Sequence, residues 1–155
     1  MEPDMVRIAA GYHAPFVIMH MLGTPGQMPV RPFYSDIAGD ILKYFVERIR
    51  PLRTEGINDI ILDPGFGFGK SVDDNFALLR RLEVFQFLEM PLMVGLSRKS
   101  MIWRTLEISS EDALNGTTAL HMIALQKGAD ILRVHDVAAA RETILLYQRF
   151  SSGSE

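Results

Sequence analysis

The chain contains no cysteine, which excludes a disulfide framework, a thiolate-held metal and a cysteine nucleophile, and is compatible with a reducing cytoplasm. It also lacks an excess of positive charge. Sixteen Lys and Arg against 19 Asp and Glu leave a formal net charge of -3, so general attraction to nucleic acid or to an anionic membrane surface is not its working principle, and any anion site has to be local. Long apolar runs are missing as well. The longest stretch free of Asp, Glu, Lys and Arg, from Ile8 to Val30, is broken by Gly11, Pro15, Gly23, Pro25, Gly26 and Pro29 and cannot make a membrane helix. Glu2, Asp4 and Arg7 come before any apolar run, the wrong order for a secretory signal. No spaced set of His, Glu and Asp suggests a zinc site. The expectation is a soluble, cytoplasmic protein with neither nucleic-acid nor membrane partners.

What is present is the composition of a folded domain: 155 residues, 48% hydrophobic and 23% charged, enough for one core and too short for a complete large barrel. Four apolar, β-rich runs of strand length recur at 15–21, 59–63, 91–97 and 129–137. Between them the spacing turns helical. Ile37, Ile41, Phe45, Ile49 and Leu52 form one stripe within 36–52, Asp73 or Asp74 is placed to cap a helix carrying Phe76, Leu79 and Leu82, and further helices are expected over 111–127, ending at Gly128, and over 138–150. Near-continuous apolar strands alternating with helices predict an α/β fold in which four parallel strands are covered by helices, in a single domain over 1–155.

One segment invites a phosphate-loop reading. Residues 63–71 read DPGFGFGKS, but G-x-x-x-x-G-K-[ST] counted back from Gly69 requires glycine where Pro64 stands, and the dinucleotide spacing G-x-G-x-x-G fails too. Neither nucleotide motif is present. The segment does offer a carboxylate, Asp63, held extended by the following proline at a strand end, with Gly65, Gly67 and Gly69 letting the backbone approach a ligand. An aspartate that simply starts a turn is the plainer alternative.

Two other strands also end in ionic residues. GLSRKS places Gly95, Ser97 and Lys99 on one parity and Arg98 on the other, with Ser97 a possible cap that would aim a short helix at an anion; a solvated basic turn would look the same. In RVHD, Arg133 and His135 share one strand face, where burial requires an anionic partner: a bound phosphate, or a salt bridge to Asp136 or Asp130. The methionines read mostly as core filler, and His20 and His121 as locally satisfied.

Together, MHMLGTP, LDPGFGFGK, GLSRKS and RVHDV, in this order, resemble dihydropteroate synthase, which joins a hydroxymethyl-dihydropterin pyrophosphate to para-aminobenzoate in folate biosynthesis. The likeness runs from about Ala14 to the end, with Leu22 where relatives often carry arginine or glutamine. It implies the C-terminal half of a (β/α)8 TIM barrel, strands five to eight. It also implies substrate-binding positions. Asp63 would read the aminopyrimidine edge and Lys99 the pterin carbonyl and ring nitrogen. Arg133 and His135 would hold the pyrophosphate, Phe68 and Ser100 would border the aminobenzoate, and Met19, Gly67 and Gly95 would line the pocket. Lys99, Arg133 and His135 would carry the catalytic charge stabilisation. Mg2+ would accompany the pyrophosphate, its protein ligand lying in the other half of the barrel. Sulfonamides would compete with aminobenzoate.

A half-barrel would leave two strand edges open, so association with an N-terminal half or a homodimer through the last two helices is expected, and little turnover from this chain alone. Two other readings stay open: a methyltetrahydrofolate methyltransferase-like pterin-binding domain, and a noncatalytic pterin-barrel fragment. A methyl donor has no pyrophosphate to hold, which counts against the first.

Overall fold

In the computed structural model, residues 3–23 and 34–153 are described; Thr24 and Pro25 of MHMLGTP lie outside them. The helical stripe read from the sequence is the spine of the core. Helix α2, Ile37–Thr54, buries Ile37, Ile41, Phe45, Ile49 and Leu52. Its N-cap is Asp36, whose carboxylate accepts from the Gly39 N–H at 3.2 Å, satisfying one of the orphan donors of a first turn. Phe45 is wholly buried and meets Phe85 edge-to-face with ring centroids 5.6 Å apart.

Among the described residues four strands alternate with the helices: β1 Phe16–Met19, β2 Ile60–Asp63, β3 Met93–Val94 and β4 Ile131–Leu132. All pairings are parallel. In β1 and β2, Phe16 lies opposite Ile60 and Met19 opposite Asp63, while Met93 and Val94 face Ile131 and Leu132. A parallel bridge between Leu62 and Leu92 joins the two pairs, so the strands lie side by side in chain order, the arrangement that successive βα units produce. Among the described residues β1 and β4 each pair on one side only, as expected of an opened barrel.

The strands are shorter than the apolar runs suggest. The chain leaves the ladder early because the backbone groups beyond it find other partners: the His135 N–H donates to Ser97 Oγ at 3.2 Å, not to a strand carbonyl. Helix α3, Val72–Arg80, follows β2, and its cap is Ser71 rather than Asp73 or Asp74. Ser71 Oγ accepts from the Asp74 N–H, and the Asp74 carboxylate accepts from the Ser71 N–H in return, the reciprocal capping box. A 3-10 helix, Leu82–Leu88, leads into β3. Helix α4 spans Ser100–Leu106, α5 Leu114–Gln126 and α6 Val137–Ser151. Gly128, at φ +90°, provides the expected stop after α5. An N-terminal helix α1, Pro3–Gly11, precedes β1; its short apolar set, broken by Asp4 and Arg7, did not stand out in the sequence.

Candidate functional site

Three strand ends converge. Phe68, Gly95, Ser97, Lys99, Arg133, Val134 and His135 line one cavity of about 240 Å3, and Asp63 sits beside it, 3.2 Å from Arg133 Nη2. Charged groups that are far apart in sequence thus share a mouth at the carboxyl ends of parallel strands, where active sites of such folds lie.

Two glycines set these approaches. A Cβ on Gly95 would come within 2.9 Å of Arg133 Nη2, and one on Gly67 within 3.1 Å of Lys99 Cδ; both long cations lie directly on bare backbone. Lys99 Nζ sits 4.4 Å from the centre of the Phe68 ring, a cation–π contact. Burial, and then the neighbouring Arg133, lower the Lys99 ammonium from its ordinary value.

Asp63 is 1% exposed. Its Oδ1 accepts from the Gly65 N–H at 2.8 Å, whereas Oδ2 has no hydrogen-bond partner among the described residues: Arg133 is near enough to attract it, but its N–H groups are not aimed at it. Desolvation raises the Asp63 carboxyl above the usual carboxylate range, against the opposing pull of the Gly65 N–H, Arg133, Lys70 and Lys99. A buried acceptor left open in this way is uncommon.

Ser97 is not a helix cap. Helix α4 begins with Lys99 as its N-cap and no side-chain bond, because the Ser97 hydroxyl is engaged by His135, whose N–H donates to it and whose Nδ1 lies 3.0 Å away. That leaves Nε2 as the ring nitrogen not engaged by Ser97. Asp136 and Asp130, the possible structural partners of Arg133, are used elsewhere. Asp136 takes a bidentate pair from Arg98, at 2.8 and 2.9 Å, and Asp130 accepts from the Leu92 N–H at 2.8 Å. Met19, Gly67 and Ser100 do not line the cavity, although Gly67 lies directly beneath Lys99. Met19 ends β1 opposite Asp63 with its Cγ close against Gly65, and Ser100 opens α4.

His121 differs from expectation: it is buried, with neither ring nitrogen partnered among the described residues, and desolvation lowers its pKa against the opposing pull of Asp136. His20 does find a partner, the Lys70 ammonium at 3.1 Å. Two residues that matter to the site, Lys70 and Asn75, were not singled out from the sequence, and Arg98 was marked there only by its opposite parity to Lys99. Asn75 was detectable in principle as an amide on the apolar face of α3; it accepts from the Gly67 N–H at 2.8 Å. Arg98, at φ +54°, binds Asp136 and also donates to the carbonyls of Ser110 and Glu111, tying the loop after β3 to the loops around α5 and β4.

The Arg98 guanidinium holds the Asp136 carboxyl below its ordinary 3.8. Stability from a depressed carboxylate is present above its unfolded value and lost as pH falls through the folded one. Arg98→Met is therefore expected to lower the unfolding midpoint at pH 7, with the gap to the unaltered chain shrinking well below pH 3.8; thermal melts across that range check it.

Among the described residues no three His, Cys, Asp or Glu side chains converge on a point that could hold an ion. Nor, among those residues, is any helix long and apolar enough to cross a membrane.

Parallel strands with a helix after each, the charged side chains gathered at the strand ends, are the arrangement found in part of a (β/α)8 barrel. The chain belongs to the family described as pterin binding enzyme, which it matches over residues 1–135. It is 40% identical to the dihydropteroate synthase of Escherichia coli K12 over 99% of this chain and 55% of that protein. Two solved structures align closely. Against the Yersinia pestis dihydropteroate synthase in a sulfonamide drug complex the TM-score is 0.95 at 38% identity, covering 99% of this chain and 56% of that one. Against the Thermus thermophilus enzyme in complex with 6HMPPP it is 0.92 at 35%, covering 97% and 61%. The chain thus spans little more than half the length of these relatives.

Proposed function

We propose that residues 1–155 form the C-terminal half, strands five to eight, of a dihydropteroate synthase, and that they supply its pterin and diphosphate contacts. The observation that carries this reading is the open Oδ2 of the buried Asp63, 3.2 Å from a cation. A carboxylate kept dry and only half used suits a ligand edge that brings two parallel N–H donors, as an aminopyrimidine does. Lys99 would donate to the pterin carbonyl. Arg133 and His135 would face the diphosphate, while Phe68 forms the wall toward the arylamine.

In the reaction the C–O bond between the pterin methylene and the diphosphate breaks, its electron pair leaving with the oxygen. The arylamine nitrogen forms the new C–N bond and sheds a proton. The residues of this chain make no covalent bond. Lys99, Arg133 and His135 stabilise the charge that grows on the leaving group, and the cavity orients the pterin for attack. A magnesium ion is proposed only as a companion of the diphosphate, since no described ligand set holds one. Para-aminobenzoate, sulfonamides in its place and a cytoplasmic setting belong to the same proposal. Association with an N-terminal half would close the edges of β1 and β4, and a homodimer would cover Val137, Leu145, Leu146 and Phe150, which α6 leaves exposed.

Calorimetric titration of the folded chain separates the readings. Pterin pyrophosphate is expected to bind and inorganic pyrophosphate to compete with it. Binding of a pterin that ignores pyrophosphate would favour a methyltransferase-like site, and no heat with either would favour a noncatalytic fragment. Turnover by this chain alone is expected to be slight, and full steady-state turnover would overturn that expectation.

A further inference from the structure

The arch between β2 and α3 has a buried cation at its centre. Lys70 is 9% exposed, and its Nζ lies 2.9 Å from the Gly65 carbonyl, 3.2 Å from the Phe68 carbonyl, 3.1 Å from His20 Nδ1 and 3.4 Å from the His20 carbonyl. Three N–H donors thus meet four acceptors, two on the arch and two at the end of β1. An ammonium has donors only, so it can gather carbonyls that would otherwise repel one another. His20 suits the contact. Burial foremost, then Lys70 and Arg48, push its pKa down to about 4, so the ring is neutral at pH 7 and its Nε2–H tautomer presents the Nδ1 lone pair to the ammonium. Desolvation lowers Lys70 to about 8, which still leaves it mostly charged at neutral pH, with Asp63 and Asp74 the carboxylates that favour the charge.

The other side of the arch is fastened independently, by the Gly67 N–H to Asn75 Oδ1 at 2.8 Å and by the Tyr34 hydroxyl to the Gly69 carbonyl at 3.3 Å. Phe68, at the crown, is the residue whose ring lies under Lys99 and walls the cavity. We propose that Lys70 is a positioning residue: by drawing the carbonyls of Gly65 and Phe68 onto the end of β1, it holds the Phe68 ring where the arylamine must dock, without touching substrate itself. This rests on the synthase reading of the site. Its specific consequence is a split between ligands, because Asp63 is fixed by the ladder of β2 and the Gly65 N–H, whereas Phe68 depends on the arch.

Lys70→Met keeps the length of the side chain and removes every donor. Lys70→Gln returns one amide, able to serve two carbonyls, and covers the case in which the methionine variant does not fold. Hydrogen exchange at the amides of Phe68 and Gly69 is expected to quicken about tenfold or more, the equivalent of losing one to two hydrogen bonds, while the Gly65 amide, β2 and α3 stay protected. Affinity for 4-aminobenzoate, measured with pterin and pyrophosphate present, should fall about tenfold in Lys70→Met and less in Lys70→Gln. Affinity for the pterin diphosphate alone should hold within about twofold. Unchanged exchange in the arch, or equal loss of both ligands, would overturn the proposal. Failure of the unaltered chain to bind pterin diphosphate would count against the synthase reading, and the exchange measurement still decides whether Lys70 holds the arch.

Discussion

Asp63→Asn is expected to weaken binding of a pterin diphosphate by about 100-fold or more, roughly 3 kcal/mol, while the unfolding midpoint at pH 7 stays the same or rises. Asparagine keeps an oxygen for the Gly65 N–H, which donates to Asp63 Oδ1 at 2.8 Å, so the turn survives. What it loses is the second anionic acceptor, Oδ2, the atom left open for a ligand. The sign of the stability effect follows from burial. Because desolvation raises the Asp63 carboxyl above 3.8, the folded state holds the proton more tightly than the unfolded chain. Stability is then greater while the group is protonated and declines as pH rises through the raised value. Burial penalises the charged form of the carboxylate, a cost partly offset by Arg133 at 3.2 Å, and a neutral amide carries no such cost. Calorimetric titration alongside thermal melts gives both readings. Near-native affinity in Asp63→Asn would mean that the carboxylate does not read the heterocycle.

Gly65→Ala is expected to damage fold and site together. Gly65 stands at φ +72°, and a Cβ there would fall 1.9 Å from the His20 carbonyl oxygen and 3.4 Å from Met19 Cγ. The clash is with backbone, which cannot swing aside as a side-chain tip can, and the left-handed conformation adds its own strain. A loss of about 3 kcal/mol or more follows from the two together, read as a shift of the urea midpoint. Displacing the end of β1 from the arch would also pull apart the acceptors around Lys70 and move Asp63, so ligand binding should vanish. Gly11→Ala is the control, since an added Cβ at Gly11 meets nothing within 4 Å. An unfolding midpoint for Gly65→Ala equal to that of the control would show that the strand end and the arch are not locked as tightly as their contacts indicate.

Most of the fold was legible because its signals are local. The stripe Ile37, Ile41, Phe45, Ile49 and Leu52 has helical spacing, and all five side chains are buried. The runs around 60, 93 and 131 are strands, though β3 and β4 keep only two residues each. Their length escaped the sequence because it depends on where side chains such as Ser97 take over the backbone's hydrogen bonds. The cap of α3 was misplaced by a few residues for a related reason: Ser71 and Asp74 bond reciprocally, and either acidic neighbour fits the same composition rule. The candidate residues were visible as ionic groups at strand ends. Arg133 meeting Asp63 rather than Asp136 or Asp130 was not, since carboxylates nearby in sequence look equally available until the loops are placed.

The amino-acid sequence by itself determined the alternation of strand and helix, the absence of a nucleotide loop and the family likeness, because periodicity, spacing and motif order are properties of neighbours along the chain. Only the tertiary structure decided that Asp63, Lys99, Arg133 and His135 share one mouth, that Lys70 is spent inside the arch rather than offered to a phosphate, and that Asp63 keeps one oxygen open. Those outcomes depend on burial and on distances of a few ångströms between segments tens of residues apart, which parallel packing sets and linear spacing does not.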